Sequence, residues 1–228
     1  MNDERSGQLP VPVYHPGLMS ETTHRALRLA LASLLLVGLV SQLFIGLSRS
    51  DLTVVRFFSY FTVLSNTLAV IMLTLLAAAP GRDDTRWFAL FRGAVTIYMS
   101  VTALVYAVLL APNLADVAVP EPWIDWTIHV IGPVAVAVDW FVSPPSAPIE
   151  NSALAIWLLF PAVYLGYSLI RGSMVDWYPY PFLNPDEVGG YAGVALWSTV
   201  GLVVVLGFGY LYRWWVNRVV GRAEPAPA

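Results

Sequence analysis

Six apolar runs, separated by short polar or proline-rich breaks, constrain this chain more than any other feature. They cover residues 26–47, 57–79, 87–111, 124–142, 153–170 and 191–216. A helix needs about 20 apolar residues to cross the hydrocarbon of a bilayer, and each run is of that size. Backbone in hydrocarbon must satisfy its own hydrogen bonds. Runs this long and this uniformly apolar lack the alternation of a barrel strand. The expectation is therefore all-α: six transmembrane helices in one bundle. Charged residues make up only 12% of the chain against 57% hydrophobic, where a soluble domain carries about 25% charged residues. Residues 1–24 and 217–228 read as polar tails around a transmembrane domain over 25–216, which leaves little for a second soluble domain.

Composition excludes several chemistries. There is no cysteine, so disulfides, thiolate metal sites and cysteine nucleophiles are out. All twelve basic residues are arginine, which removes Schiff-base and P-loop lysine chemistry. A net charge of −3 advertises no basic surface for nucleic acid. A bis-histidine haem needs more buried histidines than the spans hold. HExxH and GxSxG motifs are absent. No metal and no cofactor is expected.

Orientation follows from arginine placement. With six spans both termini share one side. That side collects Arg5, Arg25, Arg28, Arg82, Arg86, Arg213, Arg218 and Arg222, against Arg49, Arg56 and Arg171 on the other. The bias places both termini in the cytoplasm of a cell membrane. The outer side then carries Asp51, Asp116, Glu121, Asp176, Asp186 and Glu187.

Polar groups inside spans are costly and often functional. His129 is the one histidine within the apolar runs, about 7–8 Å below the start of the fourth at 1.5 Å per residue. Ser59, Thr62 and Asn66 follow one another at helical spacing in the second run and are expected on one stripe. Ser59 and His129 fall at the same depth. A serine hydroxyl becomes a nucleophile when a base takes its proton, and neutral imidazole suits that task. Asn66 can stabilise an oxyanion. Asp125, four residues before His129, can orient the ring. Flanked by Trp123 and Trp126 at a helix start, it reads better as a solvated carboxylate. Small polar residues also simply glue helices together, and that reading competes for Ser59, Thr62 and Asn66. Arg92 and Asp139, near the cytoplasmic end, are expected to pair.

Three stretches occur in order: Arg56-Phe-Phe-Ser-Tyr-Phe-Thr-Val-Leu-Ser-Asn66, Trp123-Ile-Asp-Trp-Thr-Ile-His129 with Pro133 and Asp139, and Tyr180-Pro-Phe-Leu183. Over residues 25–216 this resembles the androgen-induced membrane protein family, including its bacterial six-transmembrane branch. The resemblance implies an intramembrane hydrolase of fatty acid esters, with a threonine nucleophile and a histidine. The histidine matches His129. The threonine position falls on Ser59, a departure that keeps the hydroxyl; a shift of register nominates Thr62 instead. Thr62, Asn66, Asp125, Tyr180 and Phe182 would then contact substrate, under a loop over 176–190 acting as a lid. Its partners would be membrane lipids or fatty acid esters.

Two functions compete. The first is lipid-ester hydrolysis by a Ser59–His129 pair. The second is a non-enzymatic carrier or lipid-binding scaffold, in which the same polar residues line a path from Asn66 toward Arg92 and Asp139 or hold helices together.

Overall fold

A computed structural model describes residues 19–49, 52–79, 85–112 and 121–223. The expected tails lie largely outside these, as do the breaks at 80–84 and 113–120, Asp116 included. The described chain is helical. It comprises α1 (Glu21–Arg49), a short α2 (Val54–Phe57), α3 (Phe61–Ala78), α4 (Arg86–Val105), α5 (Pro122–Trp126), α6 (Gly132–Val142), α7 (Ser152–Val175) and α8 (Tyr191–Ala223). Six continuous units have the length and apolarity to cross a membrane: α1, α3, α4 with its extension to Leu110, α5–α6, α7 and α8. The protein is an all-α polytopic membrane protein. Its helices alternate in direction, so the bundle has a terminal end, where α1 begins and α8 finishes, and a far end.

Prolines explain the departures from regular helix. α4 widens into a π-helical turn over Tyr106–Leu110, and α5 joins α6 through another over Thr127–Ile131. Each precedes a proline, Pro112 and Pro133. Proline has no N–H for the carbonyl four residues back and crowds it sterically, and a π turn accommodates the mismatch. Pro161 lies inside α7 and deprives the Trp157 carbonyl of its helical donor. The Tyr98 hydroxyl, from α4, donates to that carbonyl at 2.9 Å.

The apolar run at 57–79 conceals a break. Expected as one helix, it divides into α2, a turn at Ser59 and Tyr60, and α3. Thr53 caps α2 through its side chain, and the Ser59 and Tyr60 amides donate to the Arg56 and Phe57 carbonyls. Ser59 thus does not share a helical stripe with Thr62 and Asn66, as the spacing suggests. The turn is flanked and filled by aromatic residues, Phe57, Phe58, Tyr60 and Phe61, so hydropathy does not register it.

α4 is the central helix: 61% of its spanning window is buried, against 17% for α8. On one side Leu90, Ile97 and Tyr98 pack with Trp140, Trp157 and Tyr212. On the other Val95 and Met99 pack with Leu35, Met72 and Val136. Gly93 has no side chain because the Trp157 and Trp140 indoles occupy that space. At the terminal end Asn217 of α8 accepts the Ile149 amide at 2.7 Å and donates to the Ile149 carbonyl at 3.0 Å. At the far end the Arg56 and Arg171 guanidiniums both lie over the Trp177 ring, 5.2 and 5.1 Å from its centroid. Asp176, in the left-handed region with φ 51°, turns the chain from α7 toward Trp177.

Candidate functional site

Asp139 anchors the charged cluster at the terminal end. Arg92, fully buried, donates to its Oδ2 at 2.7 Å and to its backbone carbonyl at 3.1 Å. The expected pair is present, but it is larger than a pair. Arg28 of α1 donates to Oδ1 at 2.8 Å, to Oδ2 at 3.2 Å and to the Ser143 hydroxyl. His24 Nε2 approaches Oδ1 at 3.4 Å. The apolar pattern left His24 outside the first span, whereas α1 begins at Glu21 and includes it. Arg92 also lies over the Trp140 ring, 5.5 Å from its centroid. Three transmembrane helices are tied at one carboxylate. In a low-dielectric interior each partner is needed to compensate the others.

The far end carries Ser59, His129 and the groups around them, in three sets. Ser59 belongs to the first. Its Oγ donates to the Val55 carbonyl at 2.7 Å. A serine has one hydrogen, so the Tyr167 hydroxyl, 2.9 Å away, is the donor in that second contact. Tyr164 donates to the Ser59 carbonyl at 2.9 Å. These partners come from α2 and α7.

His129 belongs to the second. Asp125 Oδ1 lies 2.8 Å from His129 Nδ1, and Tyr106 donates to Asp125 Oδ2. Tyr106 also lies flat on the imidazole, centroids 4.4 Å apart and planes within 7°. Asp125 is therefore a hydrogen-bonded partner of the ring, not merely a solvated helix-start carboxylate. Both π turns contribute, one supplying Tyr106 and the other His129. No hydrogen bond joins Ser59 to His129.

The third set lines a cavity of about 490 Å³. It lies among α3, α4, α7 and α8, under the short 3₁₀ turn Pro181–Leu183. Its wall is mostly apolar: Phe61, Val101, Val105, Leu158, Leu202 and Val205 among others. Hydroxyl groups supply the polarity. The Tyr180 hydroxyl lies 3.3 Å from Thr62 Oγ1 and accepts the Thr62 amide at 3.3 Å. Burial pushes the Tyr180 phenol up to about 12, partly opposed by its bonds to Thr62. Phe182 stacks on Tyr180 at 5.1 Å. Thr102 Oγ1 is buried without a hydrogen-bond partner. Of the sequence-nominated residues, Thr62, Tyr180 and Phe182 line this cavity. Ser59, Asn66, Asp125 and His129 are not among its described lining.

Asn66 connects the second and third sets. Its Nδ2 donates to the Thr62 carbonyl at 2.9 Å and to the Ile128 carbonyl at 3.0 Å. A single amide thus joins the cavity's threonine to the residue preceding His129. Its Oδ1 is buried without a hydrogen-bond partner. Tyr106 and Thr102 escaped the sequence reading. A tyrosine or threonine in an apolar run scores as span, and its partner lies on another helix. The prolines after the π turns were the available signal for Tyr106.

No cluster of three or more metal-binding side chains occurs among the described residues. No protein-family model, curated protein or solved structure matches the chain.

Proposed function

We propose that this protein holds the acyl chain of a membrane lipid in the far-end cavity and cleaves an ester of that lipid, with Thr62 as nucleophile and His129 as base. The observation that carries the reading is the Asn66 bridge, whose amide ties the backbone carbonyl of the cavity residue Thr62 to the Ile128 carbonyl in the turn that bears His129, itself paired with Asp125. In the reaction the Thr62 hydroxyl adds to the ester carbonyl as His129 Nε2 takes its proton. The same proton passes to the departing alkoxide, and water then releases the acid from the acyl-threonine by the reverse sequence. Tyr180 and the Thr62 amide are hydrogen-bonding groups at that point of the wall. The resemblance to the androgen-induced membrane protein family supports the same chemistry. Of the two hydroxyls it leaves open, Thr62 is the one that borders the cavity, whereas the Ser59 proton is engaged by Val55. The arginine bias supports a cell-membrane protein with both termini in the cytoplasm, which puts the cavity in the outer half.

The test is fluorophosphonate labelling and lipid-ester turnover of purified protein in nanodiscs. Thr62→Ala and His129→Ala abolish both; Ser59→Ala retains both. Labelling that survives Thr62→Ala and disappears in Ser59→Ala returns the nucleophile to Ser59. A second reading, a lipid-binding protein without turnover, is favoured by one observation: the Thr62 hydroxyl already contacts Tyr180, and His129 is outside the described lining. Acyl-probe binding without any labelling or turnover selects it.

A further inference from the structure

Tyr106 makes two contacts with one functional pair. Its hydroxyl donates to Asp125 Oδ2 while Asp125 Oδ1 faces His129 Nδ1. Its ring covers one face of the imidazole at 4.4 Å. Tyr106 is itself buried, and the Asp125 and His129 side chains retain only 13% and 14% exposure. Two π turns, each followed by a proline, supply Tyr106 and His129, and Asp125 comes from the helix just before the second turn. Among π turns, such local widening recurs at functional sites.

We infer that Tyr106 is a positioning residue that holds His129 as the neutral tautomer with its hydrogen on Nδ1 and its lone pair on Nε2. The physical chain is short. An ionised carboxylate is acceptor-only, so an Asp125 oxygen aimed at Nδ1 requires a hydrogen there. A carboxylate held by one contact can rotate away. The Tyr106 hydroxyl holds the second oxygen, so Oδ1 stays aimed at the ring. The stacked phenol blocks the imidazole from turning over, which would exchange the two nitrogens. The bare Nε2 is then the atom that accepts a proton. This assignment rests on the proposal that His129 acts as a base, but the tautomer itself is measurable without turnover.

The experiment is nitrogen-15 NMR of histidine-labelled protein in nanodiscs at a pH where the ring is neutral, with the His129 signals assigned by their loss in His129→Gln. Wild type is expected to show a single tautomer, hydrogen on Nδ1. Tyr106→Phe keeps the stacked ring and removes the hydroxyl; it is expected to give a mixture of tautomers. Tyr106→Leu, lacking both, is expected to shift further toward hydrogen on Nε2. A wild-type ring carrying its hydrogen on Nε2 overturns the inference with no variant needed, and so does a Tyr106→Phe spectrum unchanged from wild type. In a lipid-ester assay Tyr106→Phe is expected to lose roughly tenfold in turnover, the scale of one hydrogen bond to a charged group. If the tautomers respond as expected and no ester is ever cleaved, the positioning stands and the hydrolase reading fails.

Discussion

The Tyr98 hydroxyl and the Trp157 carbonyl form a 2.9 Å hydrogen bond that repairs the gap Pro161 leaves in α7. An unsatisfied carbonyl in hydrocarbon is costly, and here the donor comes from the central helix. Tyr98→Phe should lower stability by about 1 kcal/mol, the scale of hydrogen bonds between transmembrane helices. In a Pro161→Ala background the same change should cost much less, because the residue-161 amide again serves the Trp157 carbonyl. Chemical unfolding in detergent measures both. Equal costs in the two backgrounds would show that the proline is irrelevant to the bond.

Asp139 has two guanidinium neighbours, Arg28 and Arg92, with His24 alongside, and little water. Asp139→Asn leaves two guanidiniums poorly compensated and should destabilise by about 3–5 kcal/mol, as breaking a buried pair does. Asp186→Asn, on the exposed far-end loop, should be nearly silent. Arg92→Gln should cost more than Arg28→Gln, since Arg92 is 1% exposed and Arg28 10%. Similar melting of Asp139→Asn and Asp186→Asn would refute the cluster's structural role.

Gly201 lines the cavity, and a Cβ there would meet nothing within 4 Å. Gly201→Leu should therefore occupy cavity space with little strain. Affinity for a long-chain fluorescent acyl probe is expected to fall about tenfold, a loss of about 1.4 kcal/mol, with a smaller effect on a short-chain probe. Unchanged binding of both would place the acyl chain elsewhere.

Tyr180 links stability to pH. Its phenol is pushed from its ordinary value near 10 up to about 12 by burial. The folded state keeps the proton while the unfolded state gives it up. The stabilisation is thus complete below pH 10 and is lost as pH rises through 12. Denaturation at pH 9 and pH 11 should show a decline that is smaller in Tyr180→Phe. Equal declines in the two proteins would assign the effect to other groups.

The helices were legible because hydrocarbon imposes a length and a composition that six runs meet. The Arg92–Asp139 pair was legible for a related reason: opposite charges in apolar runs need each other. His24 and Arg28 were harder to see. Hydropathy starts the first span at residue 26, after His24 and just before Arg28, whereas the helix itself starts at Glu21 and carries both to Asp139 on another helix. The turn at Ser59 was hidden because Phe57, Phe58, Tyr60 and Phe61 make an apolar run continuous through a change of direction. Asp125 beside His129 was visible as a helical neighbour, but its link to Tyr106 depends on which helices adjoin. No spacing within one helix encodes that.

α8 is fastened unevenly. Its side-chain-mediated hydrogen bonds to other elements include Tyr212 with Ser100, the Trp140 indole to the Tyr212 carbonyl, and Asn217 with Ile149, all toward the terminal end. In the half that forms the cavity wall, Ser198 and Thr199 bond to their own helix, and Trp197 meets Phe182 only through ring contact. Trp197 stands roughly 22 Å along the axis from Tyr212 at 1.5 Å per residue. Mechanically the helix is held more firmly at one end than at the other. A small tilt about Tyr212 would be magnified at Trp197 and would part the wall toward the surrounding lipid without breaking one of these interhelical bonds.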